Sequence, residues 1–153
     1  MPDARVFKIE NRLAKVVSLP GGKTVAEALA AADRRIAGVK DECIAALEKQ
    51  SARLSEQVAA AKAAGGVAGL DAIYRTANEI FGVAGTFGLN DLGVGAYSLC
   101  DIADCFRQTG EVNWPAIEVH ADGLRLLSTE ADPAKRTAIV MGLKAVAARY
   151  LNR

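Results

Sequence analysis

The sequence is poor in the residue types that most catalytic and metal sites need. It has one histidine, His120, and three cysteines, Cys43, Cys100 and Cys105, which include no CxxC pair. Because this set lacks the ligand spacing of a zinc site, we predict buried, reduced thiols, no metal and no cofactor. A Walker-type loop, a GxSxG elbow and a Rossmann fingerprint are also missing from the sequence. The residues therefore give no direct sign of an enzyme.

The charge of the chain is balanced and its apolar runs are short. There are 19 lysines and arginines against 18 aspartates and glutamates, for a net charge of +1. No global field therefore attracts nucleic acid or an anionic membrane. No apolar run reaches the roughly 20 residues that span a bilayer, and the N-terminus lacks the apolar core of a signal peptide. We expect a cytoplasmic protein that binds neither nucleic acid nor membranes.

Aromatic residues are also scarce, at 5%, although 51% of the 153 residues are hydrophobic. Much alanine, leucine and long charged side chains with few β-branched runs favour an all-α protein. We predict an antiparallel four-helix bundle with a long N-terminal helix and an additional C-terminal helix. Residues 1–23 are predicted as a leader with a short helix over 6–17, and residues 24–153 as one domain.

The first long helix is predicted over residues 25–64, about 60 Å at 1.5 Å per residue. Thr24 and Glu27 fit a capping box at its start. Apolar residues at 25, 29, 32, 36, 39 and 43 form a heptad seam, which continues with a slip through Leu47, Leu54, Val58 and Ala61. This length exceeds that of a compact bundle, so the seam predicts, as one alternative, a homodimer or scaffold joined through this helix.

Four further helices follow at short intervals. We predict them over residues 67–84, over 90–107 with Asn90 as the cap, from 113 onward, and over 132–151. Pro115 and Pro133 fit the first turns of the last two helices. Short connections favour antiparallel neighbours. The second, third and fourth helices with part of the first should make the bundle, and the fifth helix is additional.

The second helix contains a glycine-rich phrase, ANEIFGVAGTFGLNDLG, over residues 77–93. It resembles the core helix of histidine phosphotransfer (HPt) domains. The matching positions are Ala77, Gly82, Ala84, Gly85, Phe87, Gly88, Leu92 and Gly93. The resemblance covers roughly residues 35–128 and is strongest over 70–106. It implies a helical bundle whose second helix receives a phosphoryl group from, or passes it to, a receiver domain.

Two positions in this phrase depart from the family pattern. Asn78 stands where the family has its phosphorylatable histidine, and Phe81 stands where it has a lysine. An amide nitrogen is not nucleophilic at neutral pH, whereas an imidazole is. The loss of nucleophile and cation together favours a non-catalytic surface.

Helical geometry predicts which side chains of this helix reach solvent. At about 100° per residue, Phe81 should face the bundle beside Ala77, and Asn78 should reach solvent beside Gly82. We predict that a partner binds at Arg75, Asn78, Glu79, Gly82 and Gly85. The alternative is that Gly82 merely lets another helix approach and Asn78 is an ordinary surface amide.

His120 is the alternative phosphoacceptor because it is the only imidazole in the sequence. Ile117, His120, Leu124 and Leu127 follow spacings of 3, 4 and 3, which places His120 toward the core. A packed, hydrogen-bonded histidine is the preferred interpretation. Asp101 and Asp104 are expected on a solvated face of the third helix, where they tune partner choice.

A narrower resemblance rests on three phrases, LPGGKTVAEAL, YSLCD and VHADGLRLL. Together they resemble small HPt-related proteins of the CheE kind, which are encoded with bacterial chemotaxis genes. The resemblance implies that response-regulator receiver domains or a chemotaxis histidine kinase are the partners. The leading hypothesis is therefore a non-catalytic HPt-like protein that modulates two-component signalling. The alternatives are an active phosphotransferase using His120 and a helical dimerisation scaffold.

Overall fold

A computed structural model describes residues 22–151, and this part of the chain contains helices and no strand. The helices are α1 (Val25–Ala64), α2 (Leu70–Ala84), α3 (Asn90–Thr109), α4 (Trp114–Thr129) and α5 (Pro133–Leu151), with a 3-10 turn at Gly85–Phe87. The predicted all-α class is confirmed. None of the helices in residues 22–151 is long and apolar enough to cross a bilayer. The predicted leader and its short helix over 6–17 lie outside the described residues, apart from residues 22 and 23.

Contacts divide the chain into two units, residues 1–39 and 40–153. The described part of the first unit is the start of α1. Glu27 Oε2 accepts a hydrogen bond from Thr24 N at 2.8 Å, and Thr24 Oγ1 accepts one from Glu27 N at 3.2 Å. These reciprocal bonds satisfy backbone donors that a helix start leaves unpaired. The predicted capping box is confirmed.

The second unit is built around α3, which contacts α2, α4 and α5. The residues of α1 beyond Val39 complete the bundle, and their buried side chains are Leu47, Ser51, Leu54, Val58 and Ala61. The predicted continuation of the apolar seam into a core is therefore confirmed for these positions, as is the four-helix bundle with one additional helix.

A close approach of two backbones fixes the start of α2. A Cβ atom at Gly69 would lie 2.9 Å from the Cα of Ala61, so only glycine fits there without a shift of the backbone. Gly65 and Gly66 before it adopt positive φ angles of 75° and 69°, which end α1 at little steric cost. The helix consequently begins at Leu70, three residues after the predicted start.

The fourth and fifth helices, α4 and α5, begin where the sequence predicts, and a side-chain cap bonds to the start of each. Asn113 Oδ1 accepts a hydrogen bond from Ala116 N at 3.0 Å, and Asp132 Oδ1 accepts one from Ala134 N at 2.9 Å. The prediction that Asn90 caps α3 is wrong. Leu89 is the cap residue, and no side chain bonds to the start of that helix.

Two features attach α5 to the bundle. The side chain of Leu143 lies against Gly95 and Gly123, where added Cβ atoms would approach it to 3.3 Å and 2.8 Å. Arg136 Nε donates to Asp91 at 3.0 Å, and its Nη1 donates to the carbonyl oxygens of Leu127 and Glu130, also at 3.0 Å. The guanidinium thus joins the start of α3 to the end of α4.

Candidate docking surface

The exposed face of α2 and the 3-10 turn after it carry four of the five residues predicted to bind a partner. Arg75, Asn78, Gly82 and Gly85 follow spacings of 3, 4 and 3, and all four are exposed. Spacings of three and four place residues on one side of a helix. The opposite side of α2 is buried and is formed by Ile73, Ala77, Ile80 and Ala84. Asn78 therefore reaches solvent beside Gly82, as the spacing predicts.

Phe81 lies on the exposed face, and the prediction that it faces the bundle is wrong. The side chain is 45% exposed and pairs with that of Tyr97, which is 53% exposed. The ring centroids are 5.4 Å apart at an interplanar angle of 50°. The buried stripe runs through Ala77 and Ile80, which leaves position 81 at its edge. At this edge the Phe81 ring contacts the exposed ring of Tyr97 on α3 and does not enter the core.

Tyr97 is the residue that the sequence prediction missed. It follows Val94 by three residues on α3, and Val94 is also exposed. Two apolar side chains one turn apart, both exposed on an otherwise buried helix, indicate a candidate binding surface. Their spacing alone does not show which helix they lie against. We define the docking surface as four residues of α2, one of the 3-10 turn that follows it and two of α3: Arg75, Asn78, Phe81, Gly82, Gly85, Val94 and Tyr97.

Glu79 lies beside this surface rather than within it. Its Oε2 accepts a hydrogen bond of 3.2 Å from Gln50 Nε2 of α1. The bond directs the carboxylate toward α1 and away from the stripe of Asn78. Glu79 therefore borders the docking surface on the side opposite Tyr97.

The two aspartates of α3 belong to a polar network and are half-buried, not freely solvated. Burial raises the pKa of the Asp101 carboxyl, the nearby charge of Asp104 raises that pKa further, and the Tyr97 hydroxyl opposes the rise. Arg107 pairs with Asp71 at 3.3 Å and with Asp104 at 3.9 Å. The Arg107 guanidinium also lies 5.2 Å from the centroid of the Tyr74 ring, a cation–π contact. Asp101 and Asp104 thus form a charged border that follows Tyr97 along α3.

His120 is fully buried between α4 and α3, and the prediction of a packed histidine is confirmed. Its Nδ1 donates to the carbonyl oxygen of Ala116 at 2.8 Å, so Nε2 of the neutral ring accepts from Ser98 Oγ at 3.0 Å. Burial lowers the pKa of the imidazole, and the bond to Ala116 opposes this shift. Neither ring nitrogen is open to an incoming phosphoryl group in this arrangement.

The cysteines are free thiols. Cys100 is buried, whereas Cys43 and Cys105 are half-buried, so the prediction of buried thiols holds fully only for Cys100. Burial, followed by the charge of Asp101, raises the pKa of the Cys100 thiol to about 11. A thiol with this pKa stays protonated at neutral pH and is a poor nucleophile.

The docking surface carries polar, aromatic and small side chains. It presents an amide, a guanidinium, two aromatic rings and two glycines, and none of these groups is a nucleophile at neutral pH. Exposed aromatic rings beside arginine are typical of protein interfaces.

No family model, curated protein or solved structure matches the chain.

Proposed function

We propose that this protein is a non-catalytic HPt-like bundle that binds a receiver domain or a chemotaxis histidine kinase in the cytoplasm. The observation that carries the proposal is the exposed position of Asn78, flanked by Gly82 and the pair of Phe81 and Tyr97. The resemblance places a phosphoacceptor at Asn78, and the face around it remains open.

The surroundings of Gly82 support a docking role over a packing role. A Cβ atom at Gly82 would meet no atom within 4 Å, so the described part of the fold does not need glycine there. Glycine in a helix interior is less stable than alanine by about 0.5–1 kcal/mol. The glycine leaves room for a partner to approach the backbone of α2 closely.

The proposed mechanism is competition. A receiver domain that occupies the docking surface is withheld from its phosphodonor, and Asn78 has no nucleophilic nitrogen to accept the phosphoryl group. The protein would then slow the transfer of phosphoryl groups from the phosphodonor to the receiver domain without taking part in the reaction. Binding to a histidine kinase at the same surface would have the same effect by occupying the donor.

The test is a set of titrations with receiver domains and chemotaxis kinases from the same cell, monitored by calorimetry. Each receiver is used with and without beryllofluoride, which mimics the phosphoryl group. We expect at least one partner to bind and its phosphorylation by the kinase to slow as this protein is added. Absence of binding to every receiver and kinase would contradict the proposal.

An active phosphotransferase using His120 is the alternative. It requires the imidazole to leave its bonds with Ala116 and Ser98 and to reach the surface, because the side chain is fully buried. Incubation with an autophosphorylating kinase and radiolabelled ATP tests this directly. We expect no acid-labile label. Label that is present in the unmodified protein and missing from His120→Ala would support the alternative.

A further inference from the structure

The start of α1 presents an apolar seam to solvent. Its four large hydrophobic side chains are all exposed, from 42% for Ile36 to 77% for Val25, with Leu29 and Val39 between them. Ala32 completes this part of the seam and is exposed too. Spacings of four and three keep these residues on one side of the helix, as in a coiled coil. Such a seam is stable in water only when another helix covers it.

The pattern of the seam complements itself when it is reversed. Its positions are symmetric about residue 34, so a second copy running in the opposite direction places Leu29 against Val39 and Ala32 against Ile36. Each of these layers then combines a larger side chain with a smaller one. A parallel pair would instead place Ala32 against Ala32, and would put valine at d positions, where leucine favours parallel dimers.

The charges beside the seam agree with the reversed arrangement. In the heptad of the seam, Arg35 is a g residue, and Lys40 is the e residue of the next heptad. A parallel pair brings these like charges together across the interface. An antiparallel pair joins equal edges of the two copies. On one edge, Asp33 of each copy can pair with Lys40 of the other, whereas on the other edge Arg35 and Glu42 lie too far apart along the axis to pair.

We propose that the seam of α1 forms an antiparallel homodimer with a second copy of the chain, about a two-fold axis near Arg34. The interface is isologous, so the same residues contribute from both copies and the assembly stops at two. This inference is independent of the docking surface on α2 and α3, and it holds whether or not a receiver domain binds there.

The dimer is tested first by sedimentation equilibrium of the full chain. Ile36→Asp places a charge in the seam, and Ala37→Asp places the same charge one residue away on the outer side of the helix. Both positions are exposed, so neither change disturbs a packed core. We expect Ile36→Asp to weaken dimerisation at least about tenfold and Ala37→Asp to leave it nearly unchanged. A monomer at all concentrations, or equal effects of the two variants, would overturn the proposal.

The direction of the helices is tested by disulfide formation. Cys43→Ser and Cys105→Ser remove the two half-buried thiols, and Leu29→Cys or Val39→Cys is added singly to this background. The antiparallel pair predicts a disulfide dimer when the two variants are mixed and allowed to exchange, and none from either variant alone. A parallel pair predicts disulfide dimers of each variant alone, and that result would overturn the antiparallel arrangement.

Discussion

The buried His120 makes the stability of the protein depend on pH. Its folded-state pKa lies below the ordinary value of 6.5 because burial disfavours the charged ring. Between the folded and unfolded pKa values the unfolded chain binds more protons, so the free energy of unfolding rises with pH in that window. The stability that the neutral, buried ring contributes is therefore complete above about pH 6.5, and it is lost as the pH falls below that value.

We expect His120→Gln to reduce this dependence, because glutamine fills similar space and does not titrate. Urea unfolding at pH 7.5 and at lower pH values, down to about pH 5, measures the difference between the two proteins. Gln108→Asn is the control, because it changes an exposed side chain without adding a charge. Equal losses of stability on acidification in the unmodified protein and His120→Gln would contradict the assignment of a neutral, buried imidazole.

Gly69, the residue before the first turn of α2, and Gly82, on the exposed face of α2, should respond oppositely to alanine. Gly69→Ala forces a Cβ atom against the backbone of Ala61, and overpacking of this kind destabilises by about 1–3 kcal/mol. Gly82→Ala meets no neighbour and gains about 0.5–1 kcal/mol from helix propensity. Urea unfolding of both variants measures the two signs. Destabilisation by Gly82→Ala would show a packing role for that glycine and weaken the docking proposal.

At the scale of single residues, the sequence predicts positions near the centre of a stripe better than those at its edge. The spacings place His120 in the core and Asn78 in solvent, and the structure agrees. The prediction for Phe81 fails because the environment of this residue depends on which side chain of α3 lies at the edge of α2. That side chain is Tyr97, and its identity follows from the register between two helices, which period alone does not determine.

At the scale of the helices, the side chain of Arg136 links α5 to both α3 and α4. That side chain is only 14% exposed, and it satisfies two carbonyl oxygens near the end of α4. We expect Arg136→Met to destabilise the protein by about 1–3 kcal/mol, since those acceptors lose their partner. The exposed pair of Lys62 and Glu118 provides the comparison, and Lys62→Met should cost about 0–1 kcal/mol.

Chemical or thermal unfolding of both variants measures the difference. Arg136→Lys is a further test, because lysine keeps the charge and lacks the planar fork that reaches several acceptors at once. It should recover only part of the loss. Equal stabilities of Arg136→Met and Lys62→Met would contradict the role of Arg136 in attaching α5.

Helix limits were largely predictable because their signals are local. The capping box at Thr24 and the helix starts marked by Pro115 and Pro133 are indicated by a few neighbouring residues, and all three are confirmed. The start of α2 was less predictable. It depends on the contact of Gly69 with Ala61, which joins two helices across a turn and has no signature within either helix.

For the whole molecule, fold and function were predictable to different degrees. Composition and helical periods indicate an all-α bundle, because burial of apolar stripes decides the class of fold. The partner does not follow from the same physics, since it depends on a surface that another protein must complement. Residues 25–39 and the docking surface are both exposed apolar features, and each is assigned a separate binding role.

The central claim is that a receiver domain or kinase contacts the face of α2 around Asn78. Gly82→Trp blocks that face with a large side chain at a position where a Cβ atom meets no neighbour. Gly142→Trp is the matched control, because Gly142 is an exposed helical glycine on α5 that is equally free of neighbours.

The decisive measurement is the affinity of the partner found by titration for these two variants and for the unmodified protein. We predict that Gly82→Trp weakens binding at least about tenfold, as expected for a change in the centre of an interface. Gly142→Trp should bind as the unmodified protein does. Unchanged binding by Gly82→Trp, or an equal loss in Gly142→Trp, would contradict docking at this surface.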